Sequence, residues 1–528
     1  MNRILKSLIL ITTTSRLYGQ LLISGTVVDQ NTGAPLSFVN IGIKNKNTGV
    51  TSALSGAFDL NIPATLQNDS LTFSMVGYQP LTIHIPFIAA THHTVFKLKA
   101  KFIPLQNVVV TAKKLHEKKY GIVRYNPLLH FIDASENSND IFEIAQLVHL
   151  DKDFSKITSV NLFINESMKD SVTFRINFYS LNNGLPGERI LEKSIVQTHE
   201  IKEGWLRFDL RSQDVYLKQD VVVGIEFMPA KNRPPVKYEL KLGGRTKSYS
   251  RGSSLGSWNR PPHHYRLFVT ALSDDDELKK TDDEEDETLA TKKIYSAHVK
   301  DSFSIFVNLP KNYKRHSDKK YRVIYLLDAN VFFEAVAEFL SAADGSNEAI
   351  LVGIGYRNAF EADSLRHRDY TYPKALAADS MALSSGATQF IDFIKKELVP
   401  YIDKKYKSHP HQRTIMGHSL GGYFSLYFLK TELKSKKPLF DCFVAASPSV
   451  DYAGRYLFSE FTSPAETNFP LTLYITSGER EDLKGFNSFL RVLKGQHLQL
   501  KTDIFLQMDH MEAALPGFKK GLNLCGDH

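Results

Sequence analysis

The run Ile415-Met416-Gly417-His418-Ser419-Leu420-Gly421-Gly422 reads G-x-S-x-G. A hydrophobic strand pattern precedes it, and an amphipathic helical pattern (Tyr423, Leu426, Phe428, Leu429) follows. A serine hydroxyl is a poor nucleophile until a base and a favourable geometry improve it. A strand–turn–helix elbow supplies the geometry, lifting the Ser419 Oγ out of a tight turn that tolerates only small neighbours such as Gly417 and Gly421. The helix N-terminus then aims free N–H groups at the charge that develops on an attacked carbonyl. The chemistry on offer is acyl transfer, and it calls for an acid and then a histidine further along the chain.

Both are present. The apolar run over 471–476 is followed by Ser477-Gly478-Glu479-Arg480-Glu481-Asp482. Strand ends are where such folds place their acid, and Glu481, at a G-x-x-E spacing, is the expected one, with Glu479 and Asp482 as near rivals. The next strand pattern, 498–508, ends in Asp509-His510-Met511-Glu512. His510 is therefore the expected general base, taking the Ser419 proton and returning it to the leaving alcohol.

The elements that position these residues begin near residue 291, where strands and helices alternate. Strands are predicted over 321–327 and 349–354, helices over 331–340 and 389–406. The elbow strand, 442–446 and the runs from 471 and 498 complete the series. This is the grammar of a mostly parallel sheet covered by helices on both faces, with functional groups at the carboxyl ends of strands.

The motifs YRVIYLLDANVFFE, ILVGIGY, RHRDYTYP, MGHSLGGYFSLY, SPSV, ITSGERED and DHMEAALPGF together resemble the esterase-D-type esterase family over about residues 291–523. Within it, the likeness is to siderophore esterases that open catecholate trilactones. The wider family includes feruloyl, acetyl-xylan and S-formylglutathione hydrolases, so the resemblance fixes chemistry better than substrate. It implies an α/β-hydrolase domain at 291–528, with Ser419 as nucleophile, His510 as base and 478–481 as the acid region. Some siderophore esterases resemble a Ser–His dyad, which leaves Glu481 essential or only supportive. The oxyanion hole is expected to combine the Leu420 backbone N–H with one from the 328–330 turn, Ala329 by preference and Asn330 as the alternative. Arg366, Arg368 and Asp369 either hold a carboxylate, catecholate or sugar-bearing acyl group, or form a salt-bridged loop that orders the pocket wall. Residues 371–386 read as a polar loop and short lid. The reaction requires no metal and no organic cofactor. The doublets His92-His93 and His263-His264 lack a third ligand at a persuasive spacing and read as surface features.

A length of 528 residues suggests about three domains. Residues 1–20, with a basic start and a short apolar run, read as a secretory signal peptide. No later stretch reaches the roughly 18 apolar residues needed to span a membrane. Residues 21–110 alternate short β runs with turn clusters, and ISGTVVDQNTGAPLSFVNIGIK, TSALSGAFDLNIP and LTFSMVGYQP resemble the carboxypeptidase-regulatory-like β-sandwich. That module is frequent at the N-termini of exported and outer-membrane-associated bacterial proteins, and it implies a structural or docking role. Residues 115–272 read as a second, jelly-roll-like sandwich. Its Trp205 is expected in the core, while Trp258 either stacks on a sugar or folds onto its own sandwich. Residues 273–290 are an acidic linker. Cys442 and Cys525 could pair in an oxidising compartment. The net charge of +8 is spread along the chain rather than gathered in a stripe, which argues against nucleic acid as a partner.

The expected fold class is thus two N-terminal all-β sandwiches followed by an α/β-hydrolase domain. The expected function is an exported serine esterase, periplasmic or outer-membrane-associated, acting on a siderophore ester or on an acetyl or feruloyl ester of a saccharide. Envelope or glycan contact would fall to the sandwiches. A different class, a surface adhesion or scaffold protein with a decayed esterase domain, is opposed by the intact Ser419, Glu481 and His510.

Overall fold

The computed structural model describes residues 20–526 apart from 92–93, 102–115, 124–130, 136–139, 151–154, 192, 218, 230–233, 244–245, 274–288, 311–312, 314–317, 343–347, 358 and 463–466. The expected signal segment up to residue 19, the His92-His93 doublet and most of the acidic linker lie outside the described residues.

Two small sheets form the first domain. Leu21–Asp29 runs between Ala57–Ile62 and Val95–Leu98, facing the order Gly49–Thr51, Asn40–Gly42, Ser70–Ser74, Leu81–His84. Strict alternation in Ala57–Ile62 turns Phe58, Leu60 and Ile62 inward, where Phe58 meets Phe73 and Phe96. Asp29 holds its turn closed by accepting the N–H groups of Asn31 and Thr32, each at 2.8 Å.

The middle domain is a larger sandwich of a six-stranded and an eight-stranded sheet, closed over Phe174, Phe178, Phe208, Phe227 and Tyr238. Here two expectations are corrected. Trp205 is not in the core: Gly204–Asp209 buries Leu206 and Phe208, so Trp205 has the other parity and lies on the outer face, 36% exposed, edge-on to Phe163 and Phe268. His264 is not a surface residue: it is buried, with Nδ1 3.0 Å from the Ser248 hydroxyl, and burial lowers its pKa to about 4. Trp258 folds onto its own sandwich, beside Tyr179 and Tyr249, with the Arg251 guanidinium 4.4 Å from its ring.

The sandwiches touch each other and the third domain. Arg175 donates to Asn40 Oδ1 at 3.0 Å and to the Phe38 carbonyl. Leu242 joins an apolar cluster with Phe306, Phe333 and Ala335, and a Cβ at Gly243 would lie 2.8 Å from that of Ala335. Buried Arg266 pairs with Glu239 and with Glu334, and Lys241 pairs with Glu338.

The third domain is built on an eight-stranded sheet in the order Leu289–Ser296, Asp301–Asn308, Ala349–Gly355, Tyr321–Leu326, Ser408–His418, Cys442–Ala446, Thr472–Gly478, Gln499–Phe505. The first two strands pair antiparallel with their neighbours, and the other six are mutually parallel. The antiparallel pair was not anticipated. Ala349–Gly355 and Cys442–Ala446 are buried throughout, as parallel strands covered on both faces must be. The helix expected over 389–406 spans Ala387–Phe393 and Val399–Lys405, joined through a wide π-type turn at Ile394–Leu398. Cys442 and Cys525 form a disulfide, tying a central strand to the helix Ala514–Leu524.

Candidate active site

Ser419 sits between the end of Ser408–His418 and the start of Leu420–Leu433, at φ 59° and ψ −119°. A non-glycine residue at positive φ is strained, and here the flanks hold it in place. The Ser419 N–H donates to the Ala446 carbonyl of the next strand at 3.1 Å, and its own carbonyl accepts from Tyr423 N–H at 2.9 Å. A side chain at Gly417 would overlap the backbone of Gly421, and one at Gly421 would press on the Asp328 carboxylate at 3.0 Å.

Glu481 follows the strand Thr472–Gly478 by three residues. Its Oε1 accepts from Gly478 N–H (2.6 Å), Ser447 Oγ (2.6 Å) and Ser477 Oγ (3.2 Å), and its Oε2 lies 2.6 Å from His510 Nδ1. Burial pushes the carboxyl pKa up, but the hydrogen bonds from His510, Ser447 and Gly478 outweigh it and hold the pKa down at about 2. An ionised Glu481 takes the Nδ1 proton as a hydrogen bond and leaves the His510 Nε2 lone pair available. Its rivals are occupied elsewhere. Glu479 accepts from Gln507 N–H at 2.7 Å, and Asp482 caps the helix Leu483–Leu493 through Lys484 N–H at 2.9 Å.

His510 lies in the turn after Gln499–Phe505, with its side chain 44% exposed. Its backbone carbonyl is 2.8 Å from Nε2 of His418, and the two rings are 4.5 Å apart. Burial lowers the His418 pKa to about 4, so at neutral pH its ring is uncharged. Sequence reasoning passed over His418, although it is the variable residue inside the serine motif, and over Ser447 and Ser477, which hold Glu481.

Ser419, Leu420, Glu481 and His510 line one cavity of about 520 Å³. Its walls include Asp379 and Met381, from the stretch read as a lid, with Tyr452 and Phe486 opposite. The Ser419 Oγ lies 3.4 Å from Ser449 Oγ, and among the described residues no hydrogen bond joins it to His510. Such contacts are often open in a site without substrate. Ala329 is fully buried at the start of the helix Ala329–Ala342, whereas the Asn330 side chain is committed to both backbone groups of Tyr356.

The RHRDYTYP stretch is not a loop in its first half but the end of a helix, Ala359–Tyr370. Residues two apart on a helix point in different directions, and the two arginines separate accordingly. Arg366 lines the cavity and forks onto Asp328, while Arg368 turns away to Asp369 and Asp301 and does not reach the cavity. Among the described residues no group of three or more His, Cys, Asp or Glu side chains is placed to hold a metal ion.

Residues 296–459 match the family described as "Putative esterase", and residues 23–110 match the CarboxypepD_reg-like domain. The chain is 34% identical over 178 residues to the Ferri-bacillibactin esterase BesA of Bacillus subtilis, covering 30% of this chain and 60% of that protein. It is 31% identical over 152 residues to the Siderophore triacetylfusarinine C esterase of Aspergillus fumigatus, covering 28% and 50%. The match thus spans about half of the curated relatives' length. Among solved structures, the BES protein from Bacillus cereus aligns with a TM-score of 0.40 at 24% identity, over 45% of this chain and 95% of that one. The resemblance to siderophore-type esterases behind a carboxypeptidase-regulatory-like domain holds.

Proposed function

We propose that this chain is a serine carboxylic-ester hydrolase of the siderophore-esterase kind, its third domain an α/β-hydrolase. One observation carries the reading: Ser419, on a positive-φ elbow, opens into the same cavity as a His510–Glu481 pair joined through Nδ1. Ser419 Oγ attacks the ester carbonyl while His510 Nε2 takes its proton. The backbone N–H groups of Leu420 and Ala329 receive the oxyanion. Collapse expels the alcohol, which leaves with the proton from His510. Water, deprotonated by the same nitrogen, then attacks the acyl-enzyme, releases the acid and restores Ser419. Glu481 holds Nδ1 protonated throughout and stabilises the imidazolium.

The substrate class is a siderophore ester, supported by the two curated relatives above. Export to the periplasm or the outer membrane is part of the proposal, supported by the signal-like start and the Cys442–Cys525 bond. Among the described residues no helix is long and apolar enough to cross a membrane.

The test compares initial rates of p-nitrophenyl acetate hydrolysis by the wild type and Ser419→Ala, followed by trilactone siderophores with the linear products resolved by chromatography. Activity that vanishes in the variant is the expected result. Equal rates in the two proteins would remove Ser419 as the nucleophile and the esterase reading with it.

A further inference from the structure

Two neighbouring strand ends supply the two backbone donors assigned to the oxyanion, and both ends are gripped by one guanidinium. Asp328 immediately precedes Ala329 and is held at φ 51°. Its carboxylate accepts from Arg366 Nε at 2.9 Å and from Arg366 Nη2 at 3.0 Å, a bidentate fork. The same Nη2 donates to the carbonyl of His418, two residues before Leu420, at 3.4 Å. The Asp328 N–H donates to the Tyr370 hydroxyl at 3.1 Å, and Arg366 lies over the Tyr370 ring at 5.6 Å. A Cβ on Gly421 would stand 3.0 Å from Asp328 Oδ2, so the carboxylate reaches the first turn of the elbow helix. The strands themselves are parallel neighbours, with Leu326 opposite Met416.

We propose that Arg366 is a positioning residue that fixes the spacing of the Ala329 and Leu420 N–H groups, rather than a ligand for the substrate's charge. The inference rests on the esterase reading above. Arg366 lines the cavity, but its charge is already neutralised by Asp328, so an anionic substrate meets little net attraction there. Its Nε and Nη2 are committed to the Asp328 carboxylate on one side of the hole, and Nη2 also to the His418 carbonyl on the other. Oxyanion donors act only when they stand where the charge will develop, and a shift of the donor pair lowers turnover without changing ground-state binding.

The experiment uses the full chain. Arg366→Met leaves the Asp328 carboxylate buried without its cation, so a second protein, Arg366→Gln with Asp328→Asn, removes both charges together; circular dichroism confirms that each is folded. On p-nitrophenyl acetate, which carries no charge, kcat is expected to fall about 10²-fold with KM within about twofold, since losing one donor typically lowers the rate 10²–10³-fold. The affinity for a trifluoromethyl ketone, which forms a tetrahedral oxyanion on Ser419, falls by the same factor. Retained kcat on this neutral ester, with KM rising only for anionic esters, overturns the proposal and makes Arg366 a substrate ligand. A fall in kcat with unchanged ketone affinity also overturns it. Wild-type protein without Ser419-dependent turnover removes the esterase reading itself, a failure visible before any Arg366 variant is made.

Discussion

Glu481→Gln preserves the shape of the side chain and is nevertheless expected to lower activity more than Glu481→Ala. Three donors converge on Oε1: Gly478 N–H and Ser447 Oγ at 2.6 Å, and Ser477 Oγ at 3.2 Å. The amide oxygen of a glutamine must take that place, which puts its NH₂ group where Oε2 now lies 2.6 Å from His510 Nδ1. A donor there obliges Nδ1 to accept, and the ring proton moves to Nε2, the nitrogen that has to take the proton of Ser419. In trypsin-like proteases the corresponding acid-to-amide exchange lowers kcat about 10⁴-fold. The His510 side chain is 44% exposed and can turn partly out of the wrong arrangement. A fall of about 10²–10⁴ in kcat is therefore expected, with KM within about threefold. Glu481→Ala removes the partner without imposing a tautomer and is expected to lose less, about 10–10². The assay is kcat on a chromogenic ester at neutral pH, with active serine titrated by an organophosphate. A glutamine variant within tenfold of wild type would refute this geometry and leave a Ser–His dyad, and an alanine variant worse than the glutamine one would refute the tautomer argument.

Glu481 also links stability to acid. Its pKa, about 2 against an ordinary 4.5, is depressed in the fold, so its stabilisation is complete above 4.5 and lost as pH falls from 4.5 towards 2. Urea midpoints of wild type and Glu481→Gln, followed by circular dichroism, should therefore converge as the pH falls through that window, and a constant gap contradicts the reasoning. His418→Phe removes the hydrogen bond to the His510 carbonyl and is expected to lower kcat about tenfold, with part restored in His418→Gln, which keeps a donor. Gly243→Val, at φ +79° with its Cβ 2.8 Å from that of Ala335, is expected to destabilise by roughly 1–3 kcal/mol, read from thermal melting. The 83-residue separation of Cys442 and Cys525 makes their bond worth about 4 kcal/mol, so a reductant should lower the melting temperature of wild type and leave Cys525→Ser unmoved.

The serine elbow was legible because Gly417 is sterically forced: whatever the rest of the chain does, a side chain there collides with the backbone of position 421. The central strands were legible because burial on both faces leaves a continuous apolar run such as Ala349–Gly355. The acid was legible only to within four residues. Glu479, Glu481 and Asp482 share one turn, and what separates them is which carboxylate curls back onto Gly478 N–H while facing the next strand's turn. The parting of Arg366 from Arg368 was hidden because it needs the helix Ala359–Tyr370, whose weak amphipathic pattern read as a loop. Trp205 failed for a simpler reason. An alternating strand has two possible parities, and its bulkiest ring does not mark the inner one, whereas Leu206 and Phe208 do.

Glycine at 243 and leucine at 242 bear on whether the third domain can stand alone. Leu242 lies against the same helix that begins with Ala329, and Arg266 of the middle sandwich answers Glu334 on that helix. A recombination event that moved the esterase domain alone into another protein would carry an uncovered apolar patch and an acid stripped of its arginine. Apolar faces of that kind invite self-association. Cut free of the middle sandwich, the third domain of this chain is therefore expected to lose solubility before it loses its fold, because Leu242 and Gly243 close the face that Phe333 and Ala335 present.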